Sequence, residues 1–186
     1  MNFNSHSHLR GEHAFLAPSG SHWVNYTPEK LTDRYVKHRA SFRGTRLHEL
    51  AHELIELKER LPRTKRTLNM YVNDAIGYRM ITEQPLYYSD NCFGTADAIS
   101  FKKNFLRIHD YKSGETPASM RQLMVYMAIF CLEYDYQPDE IEAELRIYQS
   151  DEIIIHNPLP EEIFSIMNKI VESDKHIERL KAEGVT

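Results

Sequence analysis

The chain holds little cysteine, only Cys92 and Cys131 in 186 residues. Two thiols so far apart make no disulfide framework, which fits a reducing cytoplasm. No apolar run is long enough to span a bilayer, and the N-terminus is polar, so neither a membrane anchor nor a signal peptide is expected. Repeats, low-complexity tracts and linkers are also missing. What remains is one domain, 1–186, long enough to bury a real core, with an irregular N-terminal arm to about residue 30. An excess of positive charge is absent too: the formal net charge is −4, which taken alone argues against a nucleic-acid binder. The distribution of charge answers that objection. Between Arg34 and Arg66 the bases outnumber the acids, while the C-terminal third is acidic, so Arg43, Arg46, Lys58, Arg63, Lys65 and Arg66 form a candidate phosphate-tracking surface.

What is present is concentrated in two strand-like segments. The first is Gly94-Thr95-Ala96-Asp97. The second, after a turn at Lys102-Lys103-Asn104, is Phe105 to Lys112. Alternation puts Leu106, Ile108, Asp110 and Lys112 on one face, so an apolar strand ends in an acid and an amine that point the same way. Burying either charge is costly unless it is paired or bound, so this ending points to a metal and an anionic substrate. Asp97 supplies a second hard oxygen across the hairpin.

Two helices flank these strands. Pro117 to about Tyr134 carries Met120, Leu123, Met124, Met127, Cys131 and Tyr134 at helical spacing, with Gln122 and Tyr126 one turn apart beside that stripe. Upstream, Gly44-Thr45-Arg46-Leu47-His48 opens a helix whose buried side is Leu47, Leu50, Ala51, Leu54 and Leu57, bordered by His48.

At these residues the chain resembles the RecB-like branch of the PD-(D/E)XK nuclease superfamily: Gly44-x-x-x-His48, Gly94-Thr-Ala-Asp97, Asp110-Tyr-Lys112 and Gln122-x-x-x-Tyr126, in family order. The likeness is greatest to phage and prophage exonuclease-like proteins, through His13-Ala-Phe-Leu-Ala-Pro-Ser19 and His22-Trp23-Val-Asn25. The resemblance implies an α/β restriction-endonuclease-like core, a central mixed β-sheet flanked by helices. It implies that His48, Asp97, Asp110 and the carbonyl of Tyr111 hold Mg²⁺ or Mn²⁺. Lys112 would orient or deprotonate the attacking water and offset charge on the phosphate, and Gln122 and Tyr126 would lie beside the metal and the nucleic-acid backbone. Glu83 is a looser match to an acid ahead of the Gly-Thr-Ala-Asp strand. His52 stands where relatives often carry a glutamate, with Glu53 next to it, and Tyr26 replaces a cysteine. Some relatives hold an iron-sulfur cluster on four cysteines, which this chain lacks.

A second motif overlaps the same helix. His48-Glu49-Leu50-Ala51-His52 is a literal H-E-x-x-H, in which two histidines one turn apart bind zinc and the glutamate activates water in metalloproteases. The H-x-x-G-x-x-H extension is absent, and a third ligand must come from Asp74 or Glu83. A catalytically inactive DNA-binding module on the same fold is the other alternative. His6, His8, His13 and His22 are read as a solvated N-terminus.

Helices are expected near 45–60, 67–80, 117–134 and 160–182, and strands near 81–88, 94–101, 105–112 and 140–148, with a short apolar segment at Ile153 to Ile155. In the 140–148 strand, Ile141, Ala143, Leu145 and Ile147 are expected inward, against Glu142, Glu144, Arg146 and Tyr148. The resulting expectation is a Mg²⁺- or Mn²⁺-dependent deoxyribonuclease, an exonuclease of phage type in recombination or DNA processing, in the host cytoplasm. Its partners would be DNA and a single-strand annealing protein, and a homo-oligomer is compatible with the sequence.

Overall fold

A computed structural model describes residues 15, 16 and 18–184. The chain divides into two compact units, Met1–Thr45 and Arg46–Thr186. In the first, a 3₁₀ helix spans Pro18–Asn25 and helix α1, Pro28–Glu56, begins. The Thr27 hydroxyl caps α1 by accepting the Lys30 N–H at 3.3 Å, and Pro28 sits where no amide hydrogen is needed. The Phe15 ring meets those of Tyr35 and His38, with centroids 5.3 and 5.2 Å apart.

The start of α1 corrects two expectations. The arm is not irregular to residue 30, and Gly44 lies inside a helix rather than opening one. Residues 28–44 carry no apolar stripe, so hydrophobic spacing misses them; the Thr27-Pro28 cap is the signal that marks this start. Residues 1–14, with His6, His8 and His13, lie outside the described residues.

The second unit is α/β. Helix α2, Thr67–Tyr78, is followed by strands β1, Ile81–Ser89, β2, Cys92–Lys102, and β3, Phe105–Lys112. Helix α3, Arg121–Tyr134, then leads to β4, Glu142–Gln149, β5, Glu152–His156, and helix α4, Pro160–Ala182. The strands form one five-stranded sheet in the order β1-β2-β3-β4-β5. It is mixed: β3 and β4 run parallel, with α3 as their crossover, and the other neighbours are antiparallel. Two of the three two-residue hairpins turn through paired left-handed residues, Lys103-Asn104 at φ 52° and 59° and Ser150-Asp151 at 51° and 61°, the twist that such loops favour.

Both faces of the sheet are covered. Leu106 and Ile108 of β3 and Leu145 and Ile147 of β4 pack under Leu123 and Met127 of α3 and Ile163 of α4. On the opposite face, Ala51 and Ile55 of α1 and Tyr71, Val72 and Ala75 of α2 cover Ala98, Tyr111 and Tyr148. This second layer changes the expected burial. Tyr148, expected outward, is fully buried, because α2 lies over that side of β4. Leu50 and Leu57 are exposed, since the inward stripe of α1 runs through Leu47, Ala51 and Ile55 and the helix ends at Glu56. Helix α3 starts at Arg121 instead of Pro117, and Tyr134, at its end, is exposed.

Candidate functional site

Strands β2 and β3 stay in register as far as Ala98 and His109 and then part. The carboxylate of Asp97 fills the opening: its Oδ2 accepts the Tyr111 N–H at 3.0 Å, in place of a backbone carbonyl. The same oxygen lies 3.4 Å from His48 Nδ1 of α1. The His48 ring meets the edge of the buried Tyr111 ring, with centroids 5.1 Å apart, so α1 is keyed to the strand that carries Asp110.

Glu83 joins this pair. Ligand atoms of His48, Glu83 and Asp97 all lie within 4.8 Å of one another. Glu83 gets there through a break in β1: it is skipped in the ladder between Thr82 and Gln84 and has a φ of 50°, the left-handed region. A non-glycine residue in that conformation within a strand costs about 1–3 kcal/mol, and such strain concentrates at functional sites.

Asp110 lies beside this group, at the C-terminal end of the parallel pair β3 and β4, where open α/β sheets bind their ligands. Its Oδ1 accepts from Lys112 Nζ at 3.0 Å, and its Oδ2 is buried with no hydrogen-bond partner among the described residues. Burial and then the Asp97 charge push the Asp110 carboxyl up to about 6, while Lys112 and His48 pull the other way. Lys112 Nζ also donates to Gln122 Oε1 of α3 at 3.3 Å. Tyr71 of α2 packs its ring against that of Tyr111, tilted by 35° with centroids 5.5 Å apart. Burial, followed by the charges of Asp97, Asp110 and Glu83, raises its phenol well above the usual value.

Three carboxylates and an imidazole, with one buried carboxylate oxygen unpartnered among the described residues, are donors of the kind that could hold a hard divalent cation. The residues fit such an ion: His48, Glu83 and Asp97 converge, and Asp110 Oδ2 lacks the partner that its burial demands.

The remaining candidates are placed as follows. Tyr126 lays its ring on β2 at Gly94, where an added Cβ would stand 3.0 Å from Tyr126 Cε1, so these two motifs meet in space. His52 is on the same face of α1 as His48, but its Nδ1 is hydrogen-bonded to the Thr82 hydroxyl, which in turn donates to Glu56 at 2.9 Å. It is not a member of the His48 group, and Glu49 is exposed. Arg43 is exposed in the first unit, and Arg46, Lys58, Arg63, Lys65 and Arg66 are exposed in the second.

Sequence reasoning missed Tyr71, which carries no motif and reads as one more apolar position of α2. It also missed a partly buried polar cluster on the same face of the sheet. There Asp74 Oδ2 accepts from Arg146 at 3.0 Å and from Tyr148 at 2.8 Å, and Tyr148 touches His109. Compared with family models, with curated proteins and with solved structures, the chain matches none of them.

Proposed function

We propose that this chain is a divalent-metal-dependent DNA nuclease built on a RecB-like PD-(D/E)XK core. The observation that carries the reading is Asp110: a buried carboxylate with one oxygen on Lys112 and the other orphaned beside the His48, Glu83 and Asp97 group. His48, Glu83, Asp97 and Asp110 are the residues that would hold the ion, with the Tyr111 carbonyl as the further ligand that the resemblance implies. Mg²⁺ or Mn²⁺ there supplies positive charge at the phosphate and lowers the pKa of the attacking water. Lys112 spends two of its three N–H bonds on Asp110 and Gln122. The third is left for a phosphate oxygen or the water, where it stabilises charge that grows in the transition state. Gln122 fixes the lysine, and Tyr126 braces the strand that carries Asp97.

The finer reading, an exonuclease of phage type in recombination that works with a single-strand annealing protein, rests on the N-terminal likeness between His13 and Asn25. A zinc protease draws less support, because His52 is committed to Thr82 while acidic residues complete the group around His48. A silent DNA-binding module does not account for the Asp110-Lys112-Gln122 chain.

The deciding experiment incubates purified protein with end-labelled linear, nicked and closed circular DNA in Mg²⁺, Mn²⁺ and EDTA. Cleavage in the divalent ions, lost in EDTA and in Asp110→Asn, supports the proposal. No cleavage of any substrate, or parental cleavage by Asp110→Asn, overturns it.

A further inference from the structure

A second concave site opens in the same unit, lined by α2, the loop that precedes it and Ile153 of β5, and it contains none of His48, Glu83, Asp97 and Asp110. It is a cavity of about 670 Å³, within the range of small-ligand pockets. Its rim is basic. Arg60, Arg63 and Lys65 line it from the loop between α1 and α2, and among the described residues none of the three is paired with a carboxylate.

The loop is held in place. Asn73 of α2 grips the Leu61 backbone from both sides, accepting its N–H at 3.0 Å and donating to its carbonyl at 2.9 Å. Asn69 donates to the Pro62 carbonyl at 2.9 Å. Cations on a loop fixed in this way bind an anion without first ordering the backbone.

The walls are not those of a plain phosphate site. Met70 and Ile153 give apolar surface, and Tyr78 gives an aromatic one. The Tyr78 ring is immobilised by Arg107 at 4.4 Å and Arg146 at 5.2 Å. Asp74 also lines the cavity. Its Oδ2 is occupied by Arg146 and Tyr148, which leaves Oδ1 without a hydrogen-bond partner among the described residues. A carboxylate beside three cations suits a ligand with an anionic end, a flat apolar body and an N–H donor.

We infer that this pocket seats one unpaired nucleotide of the substrate strand, its phosphate on Arg60, Arg63 and Lys65 and the amino edge of an adenine, cytosine or guanine on Asp74. The inference rests on the nuclease reading for the identity of the polymer. Bases in an intact duplex are stacked and paired and cannot enter such a pocket, so the strand that reaches it is single-stranded or frayed. Tyr71 and Tyr78 relate the two sites: one stands beside Asp97 and Asp110, and the other is two turns further along α2, about 10 Å away.

Gly77 allows a clean test. It lines the cavity, and a Cβ added there meets nothing within 4 Å, so Gly77→Leu fills the pocket while every charge stays in place. Binding of fluorescein-labelled oligo(dC), oligo(dT) and a blunt duplex to the full chain is measured by anisotropy in EDTA, beside thermal melting and a separate cleavage assay in Mg²⁺. The parent is expected to bind oligo(dC) several-fold tighter than oligo(dT) and about tenfold tighter than duplex, and Gly77→Leu to lose about tenfold on oligo(dC) with duplex binding within twofold. Arg63→Ala with Lys65→Ala, both exposed, gives a readout that does not depend on how Gly77→Leu folds: single-strand affinity should fall with a salt slope shallower by about one to two.

Parental oligo(dC) binding by a folded Gly77→Leu, or by the double variant, overturns the inference; if the parent still cuts DNA, the nuclease reading survives. A parent that cuts no DNA, yet loses oligo(dC) binding in both variants, supports the pocket and sinks the nuclease.

Discussion

The Asp97 carboxylate takes the Tyr111 amide hydrogen at 3.0 Å, at the step where β2 and β3 cease to pair. One side chain thus closes the backbone ladder and holds an oxygen within 4.8 Å of ligand atoms of His48 and Glu83. The structural role of this residue and the catalytic role proposed for it are therefore separable by substitution. Asp97→Asn keeps an acceptor for Tyr111 and should melt near the parent, whereas Asp97→Ala leaves a buried N–H unpaired and should lose about 1–3 kcal/mol of stability. Both should cut DNA at least about 10²-fold more slowly. Equal melting of the two variants would show that the hydrogen bond contributes nothing.

Asp110 should behave as a group that function keeps at a cost to the metal-free fold. Its folded pKa, about 6, exceeds the ordinary value of 3.8, so the native state holds the proton more tightly than the unfolded chain. The stability it contributes is present below about pH 4 and is lost as pH rises through about 6. Asp110→Asn escapes that loss. Without divalent ion at pH 7 it should be more stable than the parent by about 1–3 kcal/mol, with the difference vanishing near pH 4. The difference curve also cancels His109, which burial holds at about 3, below its usual 6.5; its contribution is present above about pH 6.5 and is lost on acidification. Urea melts of both proteins across this range decide the matter, and a parent more stable than Asp110→Asn at pH 7 in EDTA would contradict it.

Nuclease and protease readings separate on α1. His48→Ala should reduce DNA cleavage by orders of magnitude, through lost metal. Glu49→Gln, at an exposed position, should stay within a few-fold of the parent. His52→Ala should lower melting, by removing the hydrogen bond it makes with Thr82, more than it lowers cleavage. Zinc-dependent peptide hydrolysis destroyed by Glu49→Gln would reverse the assignment.

Lys112 bridges Asp110 and Gln122 from a position about a third exposed. Lys112→Met keeps its bulk without the charge and should still bind DNA and metal while losing about 10²-fold or more in single-turnover cleavage. A solvated loop lysine would instead tolerate the change, so near-parental turnover would remove Lys112 from the chemistry.

The parts read correctly from sequence are those with a local period. Strand β3 covers the expected 105–112 and α4 the expected 160–182. The shared direction of Asp110 and Lys112 follows from alternation alone, because residues two apart in a strand lie on one face. The H-E-x-x-H spacing was read just as locally, and there the period is not enough: two histidines share a face of α1, but what each one meets depends on β1 and β2.

Only the tertiary structure decided that His48 meets Asp97 while His52 meets Thr82. The same holds for the turn of Glu83 into the group, the seating of Tyr126 on Gly94, and the layer of α2 that buries Tyr148 and brings Tyr71 beside the acids. Periodicity encodes which way a side chain points from its own element. Which side chains then converge from positions 48, 83, 97 and 110 is set by strand register and by helices laid across the sheet, pairings between distant residues that no local pattern carries.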